Sequence, residues 1–418
     1  MFSALSLVAQ TRQSASVLLA RSLHATSQTA FGEMKRQPLP KTTSIKYTIP
    51  TDPYLLAKKF QEVAAKGKLD DAVAIVMQSK ARCQSGIVWN LVINAYAKDG
   101  RLSRALRAFT EMRRRGFKPT PTTFTALFKA CALSDAEKSV QIAQSAYESM
   151  ESHGVRPTII SVNSLLNVYL RKHNVDAILE RFNELPAEGP RAPSLATYTI
   201  VLSALRRELQ LKLTDLQAKP ETAAADKNNA HYQRRLALMK EHVHRTFGAL
   251  MDTWTAFAED AERRINSRPD DTPLLGFDTH IANVVLKACH AVYAENRALG
   301  RRGLRVAEQI YGFNDSSAAP LALRISQSIE RQGGIGGVDE GQRDGLGPII
   351  DDTTVDLVLD LCGRDDQPTK AVRFWRSLEA NFGAQFRPSK GTREKYKPIL
   401  AAHEQRTGRA KKKTAKAA

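Results

Sequence analysis

The side chains that could do chemistry in this 418-residue chain are four cysteines, nine histidines and a few aspartate pairs. Their spacing argues against catalysis and metal binding. Cys131, Cys289 and Cys362 are far too widely separated for a zinc motif. Each stands six residues after a small polar residue, a slot that Tyr96 and Tyr169 fill elsewhere. A slot that takes Tyr or Cys is a packing position, since free Cys behaves as a small hydrophobe. His242 and His244 are two apart, on different sides of a helix. Asp351-Asp352 precedes a helix start, where carboxylates cap the first turn and favour the dipole. Asp365-Asp366 reads as solvated surface. Gly333 to Gly337 has no Lys-Ser or Lys-Thr after it, so it is not a phosphate loop. The His-x-Glu and Cys-x-x-Cys pattern of zinc deaminases is missing. The chain is therefore expected not to be an enzyme and to hold no cofactor and no metal.

What remains is a row of small polar residues. Asn90, Thr125, Asn163, Thr199, Asn283 and Asp356 each occupy the second place of a five-residue run. The last two places of every run are apolar, as in Trp89-Asn90-Leu91-Val92-Ile93 and Phe124-Thr125-Ala126-Leu127-Phe128. A polar residue held at one point of an apolar helix is not a core choice.

The elements that position this row are helices. In Gly86 to Thr120 an apolar stripe runs Val88, Trp89, Val92, Ile93, Tyr96. Asp99-Gly100 breaks it, and a second stripe follows at Leu102, Ala105, Leu106, Phe109, Met112. Gly116 and Pro119 close the unit. Apolar residues at i, i+3, i+4 and i+7 give one buried face per helix, so the unit is a helix, a turn and an antiparallel helix. One such pair cannot bury both faces and needs neighbours. Copies recur around Phe124, Val162, Tyr198, Ala282 and Val355, with a degenerate one over 53–85. The second helices repeat as well. Ala105, Phe109, Met112, Gly116 and Pro119 share their spacing with Ala143, Tyr147, Met150, Gly154 and Pro157.

The bulk composition fits a polyanion partner. Lys and Arg total 62 against 43 Asp and Glu, a net charge of +19. Hydrophobic residues are 42%, enough for a core, and no run is long enough to span a membrane. Residues 1–32 hold Arg12 and Arg21 but no acid, the composition of a mitochondrial transit peptide, with cleavage expected near Leu23. A linker covers 33–52 and regular repeats 53–205. Degenerate repeats cover 206–313, with a polar insertion at 208–230. A mobile loop is expected at 314–348, a last repeat and cap at 349–405, and a basic disordered tail at 406–418.

On Trp89-Asn90, Gly100, Ala105, Phe109, Met112, Gly116 and Pro119-Thr120 the sequence resembles the pentatricopeptide repeat family, tightly over 86–205 and more loosely to about 400. The resemblance implies an all-α, right-handed solenoid of antiparallel helix pairs. It also implies binding of single-stranded mitochondrial RNA. Such binding would serve processing, stability or translation of a transcript, or a place on the mitochondrial ribosome. In that family the residue matching Asn90 hydrogen-bonds a base edge, the last residue of its unit helps choose the base, and the residue matching Ile87 packs on the base face. The implied pairs are Asn90 with Thr120, Thr125 with Thr158, and Asn163 with Ser194; the insertion leaves Thr199 without a sure partner. A short amide or hydroxyl can satisfy an exposed Watson–Crick edge. Arg113, Arg114 and Arg115 are expected to reach phosphates, with Lys118, Arg171, Lys172, Arg206 and Arg207 further candidates. The expected location is the mitochondrial matrix. The competing reading is a helical scaffold that holds proteins during complex assembly.

Overall fold

The two stripes of Gly86 to Thr120 fold as expected. Helix α3 (Gly86–Lys98) buries Val88, Trp89, Val92, Ile93, Tyr96 and Ala97. Helix α4 (Leu102–Arg114) buries Leu102, Ala105, Leu106, Phe109 and Met112 against it. Between them Gly100 takes a left-handed φ of 68°. The Gly100 and Arg101 N–H groups bond back to Ala97 and Tyr96 carbonyls, which closes the helix end. His173 and Asp366 stand at the same offset from Asn163 and Asp356, and they are left-handed too, at 55° and 54°. The repeat imposes this turn on residues that resist it.

The computed structural model describes residues 47–217, 230–267, 272–314, 319–331, 350–383 and 386–417. The targeting segment expected at 1–32, the linker up to residue 46 and the glycine run Gly333 to Gly337 lie outside them. The described elements are all helical, and none of these helices is long and apolar enough to cross a membrane. The chain divides into two units after Asn174.

In the first unit, α1 (Pro53–Ala65) and α2 (Leu69–Gln78) form the degenerate first pair. Then come α3 and α4, α5 (Pro121–Leu133) with α6 (Ser139–Glu148), and α7 (Ile159–Arg171). The first helices α1, α3, α5 and α7 stack in a row, while α2, α4 and α6 each cover their own partner. This is solenoid packing: each repeat buries its apolar face on the next. Cys131 and Tyr96 lie fully buried in the slot shared by successive first helices, so the packing reading of that slot holds.

The second unit begins with α8 (Val175–Asn183), which packs on α9 (Leu195–Gln217). There follow α10 (Ala230–Ser267), α11 (Thr279–Val292), α12 (Arg297–Gly300) and α13 (Arg302–Tyr311). The unit closes with α14 (Leu321–Arg331), α15 (Asp352–Arg364), α16 (Pro368–Phe382) and α17 (Lys390–Ala417). Here α9, α11, α15 and α17 form the row. Three stretches differ from expectation. The polar insertion begins as a continuation of α9, because Leu209 and Leu213 extend its buried stripe. The stretch expected as a mobile loop contains α14, whose Leu321, Ala322 and Ile325 are buried. Helix α17 continues to Ala417 where a disordered tail was expected, in a sequence of strong helix formers, Ala and Lys.

Ala105 is fully buried where α4 meets its neighbours. Ala105→Glu should therefore cost about 3 kcal/mol or more, as an uncompensated buried charge does. Gly100→Ala should cost about 1–2 kcal/mol for its left-handed backbone, with the new Cβ also pressed to 3.3 Å from the Leu133 carbonyl oxygen. Denaturant unfolding of both variants checks the order; equal midpoints would contradict it.

Candidate nucleic-acid interface

Every first helix in both units needs a side chain to satisfy its first free N–H groups. The residue that supplies it is the last residue of the preceding repeat. Ser85 accepts from Val88 N, Thr120 from Thr123 N and Thr158 from Ser161 N, each at 3.4 Å. In the second unit Ser194, Asp278, Asp351 and Ser389 accept from Thr197, Ile281, Thr354 and Thr392 N. The position expected to help choose a base is thus also a helix cap, which confines it to short oxygen-bearing side chains.

The cap of one helix meets the small polar residue of the helix before it. Asn90 Nδ2 donates to Thr120 Oγ1 at 3.2 Å. Its Oδ1 accepts from the Thr123 hydroxyl at 2.6 Å. The two residues paired from sequence are therefore in contact. A second such site lies in the other unit, between residues that the repeat spacing does not pair. Asn283 Nδ2 donates to both carboxylate oxygens of Asp351, at 3.2 and 3.0 Å, and Thr354 Oγ1 lies 2.9 Å from Asn283 Oδ1. Sixty-eight residues separate this pair. The one sequence sign of it was Asp351 itself, an acid before a helix start.

The remaining polar positions behave differently. Thr125 and Thr199 turn their hydroxyls back onto Pro121 and Leu195 carbonyls of their own helices. Thr158 bonds within its cap to Ser161. Asp278 caps the helix after the repeat of Thr199 and is the counterpart that the insertion concealed. Asn163 sits half-buried on α7 in the first unit, and Ser194 caps α9 in the second. In the last repeat the Lys395 ammonium sits 2.6 Å from Asp356 Oδ2, so an internal cation occupies that polar position.

Beside this row lie exposed apolar side chains. Ile87 is 70% exposed, and Tyr54 and Ile160, at the same offset from their caps, are 75% and 58% exposed. Large apolar groups left in water at one register are not core residues.

The basic residues divide. Arg114 and Arg115 both hold Glu111, at 2.9 and 2.7 Å, and Arg115 also stacks over Trp89 at 5.3 Å. This revises the expected trio of phosphate cations: Glu111 neutralises part of it, and Arg115 clamps α3 to α4. Arg113, over Phe109 at 5.7 Å, remains exposed. In the second unit a cavity of about 240 Å³ opens between α9 and α11, lined by Arg206, Lys287 and His290. No carboxylate lines it, and Arg206 Nε has no acceptor among the described residues. Burial and the Arg364 charge hold the His290 imidazole below its usual range, against the pull of Asp360. The cavity suits an anionic oxygen. The thiols of Cys131, Cys289 and Cys362 are pushed up to about 12 by burial, so none is a nucleophile near neutral pH.

Burial alone would raise the Glu111 carboxyl, but hydrogen bonds from Arg114 and Arg115 outweigh it and hold it below its usual value. A carboxyl depressed in the folded state stabilises above the unfolded value and loses that contribution as pH falls through the folded one. Glu111→Gln should lower stability at pH 7 by about 1–2 kcal/mol. It should also flatten the loss of stability below about pH 4. Thermal midpoints from pH 7 to pH 3 read both effects.

Comparison with known proteins agrees with this geometry. Residues 85–133 match the PPR repeat family and residues 145–207 the pentatricopeptide repeat domain. One pentatricopeptide repeat-containing protein of Arabidopsis thaliana is 32% identical over 99 residues, 24% of this chain and 16% of the relative. The Arabidopsis protein CRR2, chloroplastic, is 25% identical over 148 residues, 35% and 21% of the two chains. A relative named as mitochondrial is 27% identical over 123 residues, 29% and 17% of the two chains. The chain spans about a fifth of the length of these curated relatives. Among solved structures, the pentatricopeptide repeat protein PPR10 in complex with an 18-nt psaJ RNA element aligns at a TM-score of 0.34 and 18% identity. That alignment covers 88% of this chain and 54% of that one. Over residues 85–133 and 145–207, then, the helix pairs and the capped polar row described above are pentatricopeptide repeats.

Proposed function

We propose that this chain binds single-stranded RNA along its first helices, one base at each competent repeat, and performs no catalysis of its own. The observation that carries the reading is the repeated constellation at Asn90–Thr120 and Asn283–Asp351, an amide and an oxygen acceptor joined at a helix cap. Beside such a cap, at Ile87 and Ile160 in the first unit, an exposed apolar residue can pack on the face of a base. Amide and cap read its edge. Arg206, Lys287 and Arg113 position the phosphates. The deep burial of the three thiols supports a binding role over nucleophilic chemistry. The acid-free residues 1–32 support import into the mitochondrial matrix, where a transcript or the ribosome would supply the RNA.

Two experiments test this. Equilibrium binding to a randomised single-stranded RNA pool at two salt concentrations separates the roles. Arg206→Ala with Lys287→Ala should weaken all sequences and reduce the salt slope by roughly 2. Asn90→Ala with Asn283→Ala should change base preference by about 1–3 kcal/mol per site and leave the slope nearly intact. A wild-type protein that retains no RNA at low salt would return the chain to the protein-scaffold reading. Separately, removal of residues 1–32 from a tagged protein should leave it in the cytosol, and its arrival in the matrix would refute the targeting role.

A further inference from the structure

An asparagine amide has two chemically opposite ends, and the end it offers decides which base edge it accepts. Thr120 alone cannot settle this for Asn90, because a hydroxyl both donates and accepts. Thr123 can. Its Oγ1 accepts the Thr120 N–H at 3.0 Å and meets both Thr120 Oγ1 at 3.1 Å and Asn90 Oδ1 at 2.6 Å; the last distance is that of an O–H···O bond and is short for an amide N–H···O bond, so the Thr123 proton goes to Asn90 Oδ1. Thr123 is fully buried, so it acts on a ligand only through Asn90 and through Thr120, whose Oγ1 lies 3.1 Å away.

The second site shows the same arrangement, and there the chemistry settles the orientation independently. A carboxylate only accepts, so Asp351 must face the Nδ2 end of Asn283. Oδ1 then faces the Thr354 hydroxyl at 2.9 Å; Thr354 is also fully buried, and its hydroxyl is shared with Asp351 Oδ1 at 2.6 Å. Asn90, with a hydroxyl where Asn283 has a carboxylate, depends on the buried threonine for what Asp351 does unaided.

We propose that Thr123 is a specificity-determining positioning residue: its buried hydroxyl makes Asn90 offer its amide N–H, not its oxygen, to the bound base. This rests on the RNA reading above. The base opposite Asn90 must then present an acceptor. Repeats without the pairing, such as that of Thr125, whose hydroxyl turns to Pro121, contribute little selectivity.

The test uses full-length protein and a randomised pool of single-stranded RNA, with the bound fraction sequenced and the thermal midpoint read for each variant. Asn90→Ala first identifies the position of the selected motif that Asn90 reads. Thr123→Val removes the hydroxyl at nearly equal volume and should flatten the preference at that position several-fold. The salt slope should stay as in the wild type, because no charge is lost. Thr123→Ser should restore the wild-type preference. In a Thr120→Asp background the new carboxylate orients the amide, so adding Thr123→Val there should leave the preference unchanged. If Thr123→Val does not fold, Thr123→Ala carries the same expectation; loss of folding by both would make Thr123 structural and overturn the proposal. An unaltered preference in a folded Thr123→Val, or no rescue by serine, would also overturn it while leaving RNA binding intact. A wild-type protein that retains no RNA would overturn the RNA reading and this inference together.

Discussion

The N-cap of each first helix is the constraint on which this structure depends. A helix that starts in a stack has first N–H groups with no partner inside the helix. A short oxygen-bearing side chain must be there, and Ser85, Thr120, Thr158, Ser194, Asp278, Asp351 and Ser389 are all of that kind. The same requirement holds an acceptor atom beside the polar residue of the previous helix. One physical need therefore keeps the repeats in register and lays out a row of hydrogen-bonding groups. In the first unit α1, α3, α5 and α7 carry this row, and in the second α9, α11, α15 and α17 do.

Behind the row, the buried slot at a fixed offset sets the spacing. Tyr96, Cys131, Tyr169, Cys289 and Cys362 fill it, all buried. These groups differ in size, but each is apolar over most of its surface, and packing tolerates such exchange when neighbours adjust. In the second unit the load is also carried by a buried ion pair. Arg264 holds Asp260 at 2.6 Å and donates to the carbonyls of Pro193 and Pro273, while Tyr198 donates to Asp260. Arg264 is 1% exposed, and its donors are matched by acceptors, as a buried charge requires. The pair pins the segment that leads into the Ser194 cap.

Part of the positive charge is tied up in ion pairs among the described residues. Glu111 takes up Arg114 and Arg115, and Asp365 takes up Arg297 and Arg301. The Glu111 pairs lie within α4 and its cap, while the Asp365 pairs tie α12 to the end of α15, a role that sequence proximity to a helix end does not reveal. What distinguishes Arg206 and Lys287 is the acid-free cavity they share, and that depends on two helices far apart in sequence.

The sequence by itself determined the helix pairs, their order, the row of small polar residues and the packing slot. All of these follow from local periodicity and from turn and cap chemistry, which act within a few residues. Asn90 with Thr120 was legible because a unit of ordinary length fixed the count between them. Asn283 with Asp351 was not, because α14 and its flanking residues intervene and no count survives such an interruption. Asp278 escaped for the same reason, behind α10. Tertiary structure alone decided that Arg115 is a clamp, that Lys395 fills the place beside Asp356, and that Thr123 and Thr354 hold the amides from behind. Hydrogen bonds and ion pairs of this kind depend on positions to within a fraction of an ångström across neighbouring helices, and only the packed stack sets those positions.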